Sequence, residues 1–207
     1  MVKKSFTREL DVDPGRLLAL TDGIFGMVMT LLIFGMALPE ANFLNSGDLF
    51  SFFSYFFNTV GITLVSFILL GSFWVYHHEF IKVNNLNIPF LWLNILYMAA
   101  ISFVPFSTSI IGTYPNFLIS EIIFVANIFC VVLTFLIVYF YAYRNNFLEI
   151  KPSDVQLAYI IHTSVIIMIV TVLVIILDFY VSGAFIYLLL LIPVISTVRD
   201  IHFHMIS

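Results

Sequence analysis

The chain has 207 residues, of which 62% are hydrophobic and 10% charged, with a mean hydropathy of +1.11. An ordinary soluble domain is about 45–50% apolar and about 25% charged, and the 8 basic and 12 acidic side chains here cannot cover so much apolar surface in water. The composition is that of an integral membrane protein. A net charge of −4, with no basic patch interleaved with aromatics, excludes nucleic acid as a partner. The single Cys130 lies in an apolar run, so there is no disulfide framework and no thiolate metal cluster, and it reads as an inert apolar side chain. The opening MVKKSFTRELDVDPG is too polar for a signal peptide.

With charges this scarce, the gaps between them mark the organisation. Residues 23–39, 49–78, 83–120, 122–143, 155–177 and 179–198 hold no Asp, Glu, Lys or Arg. A spanning helix needs about 20 apolar residues, so each gap accommodates one. The gap at 83–120 is longer, and Tyr114-Pro115-Asn116 supplies its break. The predicted helices are 16–38, 49–76, 88–112, 117–142, 155–177 and 181–198: an all-α polytopic membrane protein, one domain over 1–207. Asn87 before Pro89 suits a helix start, where a missing proline N–H costs nothing. Pro105 and Pro193 are expected to kink the third and sixth helices, with neighbouring helices satisfying the freed carbonyls. Continuous rather than alternating apolar runs disfavour a β-barrel.

The six-helix count is supported by the bases. Lys3, Lys4, Arg8 and Arg16 precede the first helix, Lys82 follows the second, Arg144 and Lys151 follow the fourth, and Arg199 follows the sixth. All eight then lie on one side, which the positive-inside rule assigns to the cytoplasm with both termini, in a cell membrane. The other side holds Glu40, Asp48, Glu121 and Asp178 without a base. These four read either as an acidic rim that concentrates cations or as ordinary solvated helix ends.

The first helix is the informative one, because it carries Arg16, Asp22, Thr30 and glycines at 23, 26 and 35. An ionisable residue inside a span is a functional candidate by default. At 100° per residue, Met27, Thr30, Leu31, Phe34 and Leu38 share an arc of about 100°. Asp22 and Gly26 project about 100–140° from the centre of that arc. The second helix descends to the same depth and ends in GSFWVYHHEF, so Trp74, His77 and His78 can reach Arg16 and Asp22. A hydrogen-bonded cluster of Arg16, Asp22, Trp74 and His77 would compensate the carboxylate.

The segment Arg16-Leu-Leu-Ala-Leu-Thr-Asp-Gly-Ile-Phe, followed by Met-Thr-Leu-Leu, resembles the R-x-x-x-F-S-D-G signature of the transmembrane protein 175 potassium channel family. Phe73-Trp74 followed by His77 is similar to that family's second-helix motif. One copy of the Arg…Asp-Gly signature resembles the single-repeat prokaryotic members. The resemblance implies a homotetramer in the lipid bilayer with four first helices lining a central pore for monovalent cations. It implies an apolar constriction at Met27, further apolar pore positions at Leu31 and Phe34, and a selectivity layer at Thr30; Leu38 joins them by its place on the wheel. No TVGYG-like segment is present. Leu20-Thr21 replaces the family's usual Phe-Ser, Met27 stands where the family more often has Ile or Leu, and Phe34 where Leu is common.

The expected function is a leak-type, potassium-preferring channel without cofactors, potassium being only the permeant ion. No helix carries the Arg repeat of a voltage sensor. The competing readings are ordinary helix packing for Met27, Leu31 and Phe34, and for Thr30 a hydroxyl bonded back to its own helix. A proton-coupled transporter using Asp22 and His77 is the alternative function, although neither internal repeats nor paired broken helices are visible. No HExxH, GxSxG or P-loop pattern supports an enzyme, no metal site is expected, and His202 and His204 read as a frayed tail.

Overall fold

The start of the first helix is written into its sequence. The Asp13 carboxylate accepts the Gly15 N–H at 2.9 Å, and Pro14 sits in the first turn, where its missing N–H is no loss. The computed structural model describes residues 13–36, 46–115, 117–180 and 186–206, and the side chains of these apart from 46–48, 186, 196 and 200–206. Helix α1 runs Pro14–Phe34, and its 21 residues rise about 30 Å, the thickness of a bilayer's hydrocarbon core. The described helix ends at Phe34, and Leu38 lies outside the described residues, as do Lys3, Lys4, Arg8 and Glu40.

Helix α2 runs Ser46–Phe80, and α3 runs Ile88–Ser102 from the expected start, with the Asn87 side chain accepting the Phe90 N–H at 3.0 Å. Helix α4 spans Val104–Thr113, α5 Leu118–Arg144 and α6 Asp154–Asp178, the last opened by a Ser153–Gln156 capping box. A 3₁₀ turn at Ile186–Leu190 leads into α7, Leu191–Ile206. Among the described residues, five stretches are long and apolar enough to cross a membrane: Pro14–Phe34, Leu49–Phe80, Ile88–Thr113, Leu118–Arg144 and Asp154–Asp178. The sixth, Tyr187–Arg199, is apolar but shorter. The chain is an all-helical, multi-pass membrane protein.

The two internal prolines behave differently. Pro105 breaks the third span at Phe103, between α3 and α4. A neighbouring helix covers the break: the Asn127 amide donates to the Ala100 carbonyl at 3.0 Å and accepts the Ser107 hydroxyl at 2.9 Å. Pro193 corrects the expectation of a mid-helix kink. It falls in the first turn of α7, which is preceded by a 3₁₀ turn, so no intrahelical bond is lost there. Of the predicted sixth helix, 181–185 lie outside the described residues, and the helical backbone continues past 198 to Ile206.

Helix α5 forms the centre of the bundle, packed against α3 and α4 on one side and α6 on the other. Helix α1 lies at the edge, against α2, α3 and α4. The 3₁₀ turn closes on α2 where Gly61 leaves room: a Cβ there would stand 3.0 Å from the Tyr187 hydroxyl, which donates to Asn58. At the basic end, the loops after α2 and α5 clasp each other through the Val83–Leu148 bridge, with Asn84 N–H on Phe147 O at 2.9 Å and Glu149 N–H on Lys82 O at 2.8 Å. Arg199 lies 5.1 Å over the Tyr159 ring near the start of α6. Thus Lys82, Arg144, Lys151 and Arg199 share one end of the bundle with Arg16.

The opposite end corrects the acidic-rim reading for two of its four members. Glu121 and Asp178 are both fully buried, inside the bundle rather than on a solvated rim. The Asp48 side chain lies outside the described residues.

In lipid, a helix break survives only if protein satisfies its backbone. Replacing Asn127 with Leu should therefore cost about 1–3 kcal/mol, the usual penalty for orphaning buried polar groups. Thermal melting of the detergent-purified protein measures this; an unchanged melting temperature would show that the break stands without Asn127.

Candidate functional site: the free face of the first helix

Helix α1 has two unlike sides. Leu17, Thr21, Phe25, Val28 and Leu32 recur at helical spacing and are buried against the bundle. Thr21 donates its hydroxyl to Leu17 O at 3.0 Å and lies 3.7 Å from the Met98 sulfur. Phe25 sits against the rings of His77 and Tyr97, with centroids 6.3 and 6.2 Å away. These contacts set the rotation of α1 about its own axis.

The side turned away carries the predicted column. Met27 is 64% exposed, Leu31 44% and Phe34 85%, with Thr30 exposed between them. The Thr30 hydroxyl donates to the Met27 carbonyl at 2.7 Å. The hydrogen is thus directed into the helix, and the oxygen keeps lone pairs as an acceptor on the exposed side. Gly23 and Gly26 are exposed too, and a Cβ at either would meet no atom within 4 Å in a single subunit.

The expected polar cluster is only partly assembled. Trp74 Nε1 donates to Asp22 Oδ1 at 2.9 Å, bridging α2 to α1. His78, rather than His77, stacks on the Trp74 indole at 5.4 Å. His77 turns into the core, stacked on Tyr97 at 5.3 Å with the rings 8° from parallel. Its Nε2 has no hydrogen-bond partner. Arg16 is exposed at the start of α1, and among the described residues no ion pair joins it to Asp22. Positions three and four residues on from Trp74 both neighbour it on the helix, and it is the stacking of His77 on Tyr97 in the core that leaves the indole to His78. Sequence reasoning also passed over Phe25 and Tyr97; the spacing 17, 21, 25, 28, 32 was the available signal for the first.

Among the described residues, no three His, Cys, Asp or Glu side chains cluster as metal ligands, and His202 and His204 have side chains outside the description. Cys130 is exposed on α5, in the stretch that crosses the bilayer.

Residues 16–105 match the family model described as endosomal/lysosomal potassium channel TMEM175. A potassium channel of Streptomyces collinus is 30% identical over 103 residues, 49% of each chain. One from a Chryseobacterium species is 32% identical over 102 residues, 48% of this chain and 49% of its own. The chain thus spans about half the length of these curated relatives. The zebrafish (Danio rerio) endosomal/lysosomal proton channel TMEM175 is 24% identical over 158 residues, 74% of this chain and 30% of its own. The crystal structure of a lysosomal potassium-selective channel TMEM175 homolog from Chamaesiphon minutus shares the fold with a TM-score of 0.71, at 20% identity, over 91% of this chain and 96% of that one. Residues 16–105 are thus similar to the TMEM175 family, and the chain shares the fold of a homolog of it over most of its length.

Proposed function

We propose that this protein is a leak-type, potassium-preferring cation channel of the cell membrane, a homotetramer whose pore is lined by four copies of α1. The carrying observation is the exposed column of Met27, Thr30, Leu31 and Phe34 on the side of α1 opposite its packing face. Potassium channel is what the two bacterial relatives are called, and the shared fold supports carrying that activity over. A basic end with Arg16, Lys82, Arg144, Lys151 and Arg199 supports a cytoplasmic position for both termini.

Four Met27 side chains drawn together form an apolar ring that blocks ions by dewetting. The thioether chain is flexible, so a modest rotation or tilt of α1 widens the ring. One turn further along, Thr30 oxygens, their hydrogens already committed to Met27 carbonyls, stand in for part of a cation's hydration shell. Leu31 and Phe34 continue the apolar wall. The channel needs no cofactor and catalyses no covalent chemistry.

In planar bilayers under bi-ionic potassium/sodium conditions, wild type passes potassium preferentially. Met27→Ala raises basal conductance several-fold, because a smaller side chain lets the constriction wet; unchanged conductance removes Met27 from the gate. Thr30→Val keeps the shape and loses the oxygen, so the potassium preference falls by about fivefold, the equivalent of about 1 kcal/mol. A preserved ratio assigns selectivity elsewhere.

The transporter reading needs Asp22 and His77 to share a proton, and Asp22 is instead engaged by Trp74 while His77 lies among aromatic rings. In the channel reading Asp22 is structural. Asp22→Asn keeps an acceptor oxygen for Trp74 and is tolerated better than Asp22→Leu, which loses about 1–2 kcal/mol of stability with the hydrogen bond. Melting curves and flux under a proton gradient, run on the same preparations, check this. Normal stability of Asp22→Asn with loss of proton-driven flux favours the transporter.

A further inference from the structure

The exposed side of α1 extends toward the basic end beyond Met27. The helix runs from Pro14 to Phe34, so at about 100° and 1.5 Å per residue each position has a set direction and depth. Leu20 points about 20° to one side of Met27 and Arg16 about 20° to the other. They stand roughly 10 and 16 Å nearer the basic end. Both are exposed, Leu20 at 52%.

The carboxylates near Arg16 do not neutralise it. Among the described residues it makes no ion pair, with Asp13 or with Asp22. Asp22 points about 120° away, stands about 9 Å deeper, and is held by Trp74. Asp13 lies one turn further out, and its carboxylate caps the helix by accepting the Gly15 N–H at 2.9 Å. That charge is opposed by the helix's own N-terminal partial charge of about +0.5. The end of α1 therefore stays net positive.

The next step rests on the pore reading: four copies of α1 that turn Met27 to a common axis turn Arg16 to it as well. We propose that the four Arg16 side chains ring the cytoplasmic mouth of the pore and restrain cation entry from that side. The collar lowers the local cation concentration. Its field reaches about 8 Å at physiological salt, so it acts at the mouth and not at Thr30, about 21 Å further along. Entry from the outer side is unopposed, and current therefore favours the inward direction.

Inside-out patches expose this mouth to the bath. In symmetrical potassium of about 20 mM, wild type passes less outward than inward current, and about 1 M salt, with a Debye length of about 3 Å, removes most of the asymmetry. Arg16→Gln raises outward current about two- to threefold at low salt and changes inward current little. Equal gains in both directions, or a gain that salt does not erase, overturn the proposal. Arg16→Cys in a Cys130→Ser background reports where the side chain points. A cationic methanethiosulfonate on the cytoplasmic face lowers its outward current and an anionic one raises it; no response to either places position 16 outside the conduction path and overturns the proposal. The wild-type salt series needs no variant to fold: potassium current without the low-salt asymmetry defeats the collar alone, whereas no potassium current defeats the pore reading and the collar with it.

Discussion

The burial of one stripe of α1 governs what the other side of that helix presents. Leu17, Thr21, Phe25, Val28 and Leu32 seat the helix against the bundle, and rigid helical periodicity then turns Met27, Thr30, Leu31 and Phe34 outward. Phe25, held between His77 and Tyr97, and the Trp74–Asp22 hydrogen bond resist rotation of the helix. The apolar column and the threonine oxygen are therefore a consequence of packing on the opposite side. Any change in the direction of the exposed face must first be negotiated with these contacts.

The second constraint is the lipid's refusal to hydrogen-bond. Hydroxyls on the spans are largely committed to their own helix: Thr63 to Thr59 O, Ser66 to Ile62 O, Thr134 to Cys130 O and Thr163 to Tyr159 O. Side chains that cross between helices do so as matched pairs, such as Thr108 on Ser66 at 2.8 Å and Asn87 on Tyr141 at 3.1 Å. Asn127 performs this role where Pro105 interrupts the ladder. The same economy makes the Tyr97 hydroxyl conspicuous among the described residues.

Periodicity and polarity made much of the architecture legible. Charge-free gaps located the spans, Asn87 and Pro89 marked the start of α3, and Pro105 marked its break, because each signal acts within a few residues of itself. The wheel grouped Met27, Thr30, Leu31 and Phe34, all of them exposed, although Leu20 and Ile33 outside that group are exposed as well. Long-range choices were not legible. Nothing local distinguishes His77 from His78, yet one stacks in the core on Tyr97 and the other on Trp74. Glu121 and Asp178 looked like rim charges because they flank apolar runs, but the packing of the bundle encloses both.

By itself, the sequence determined the class of protein, the placement of its described spans, the shared end of its described bases and the residues on one side of α1, since hydrophobic periodicity and charge cost are local or summed along one helix. Tertiary structure alone decided which side of α1 is free, which histidine meets which ring and how the Pro105 break is satisfied. Those outcomes depend on which helices become neighbours, and neighbours in space are set by the packing of surfaces far apart in the chain.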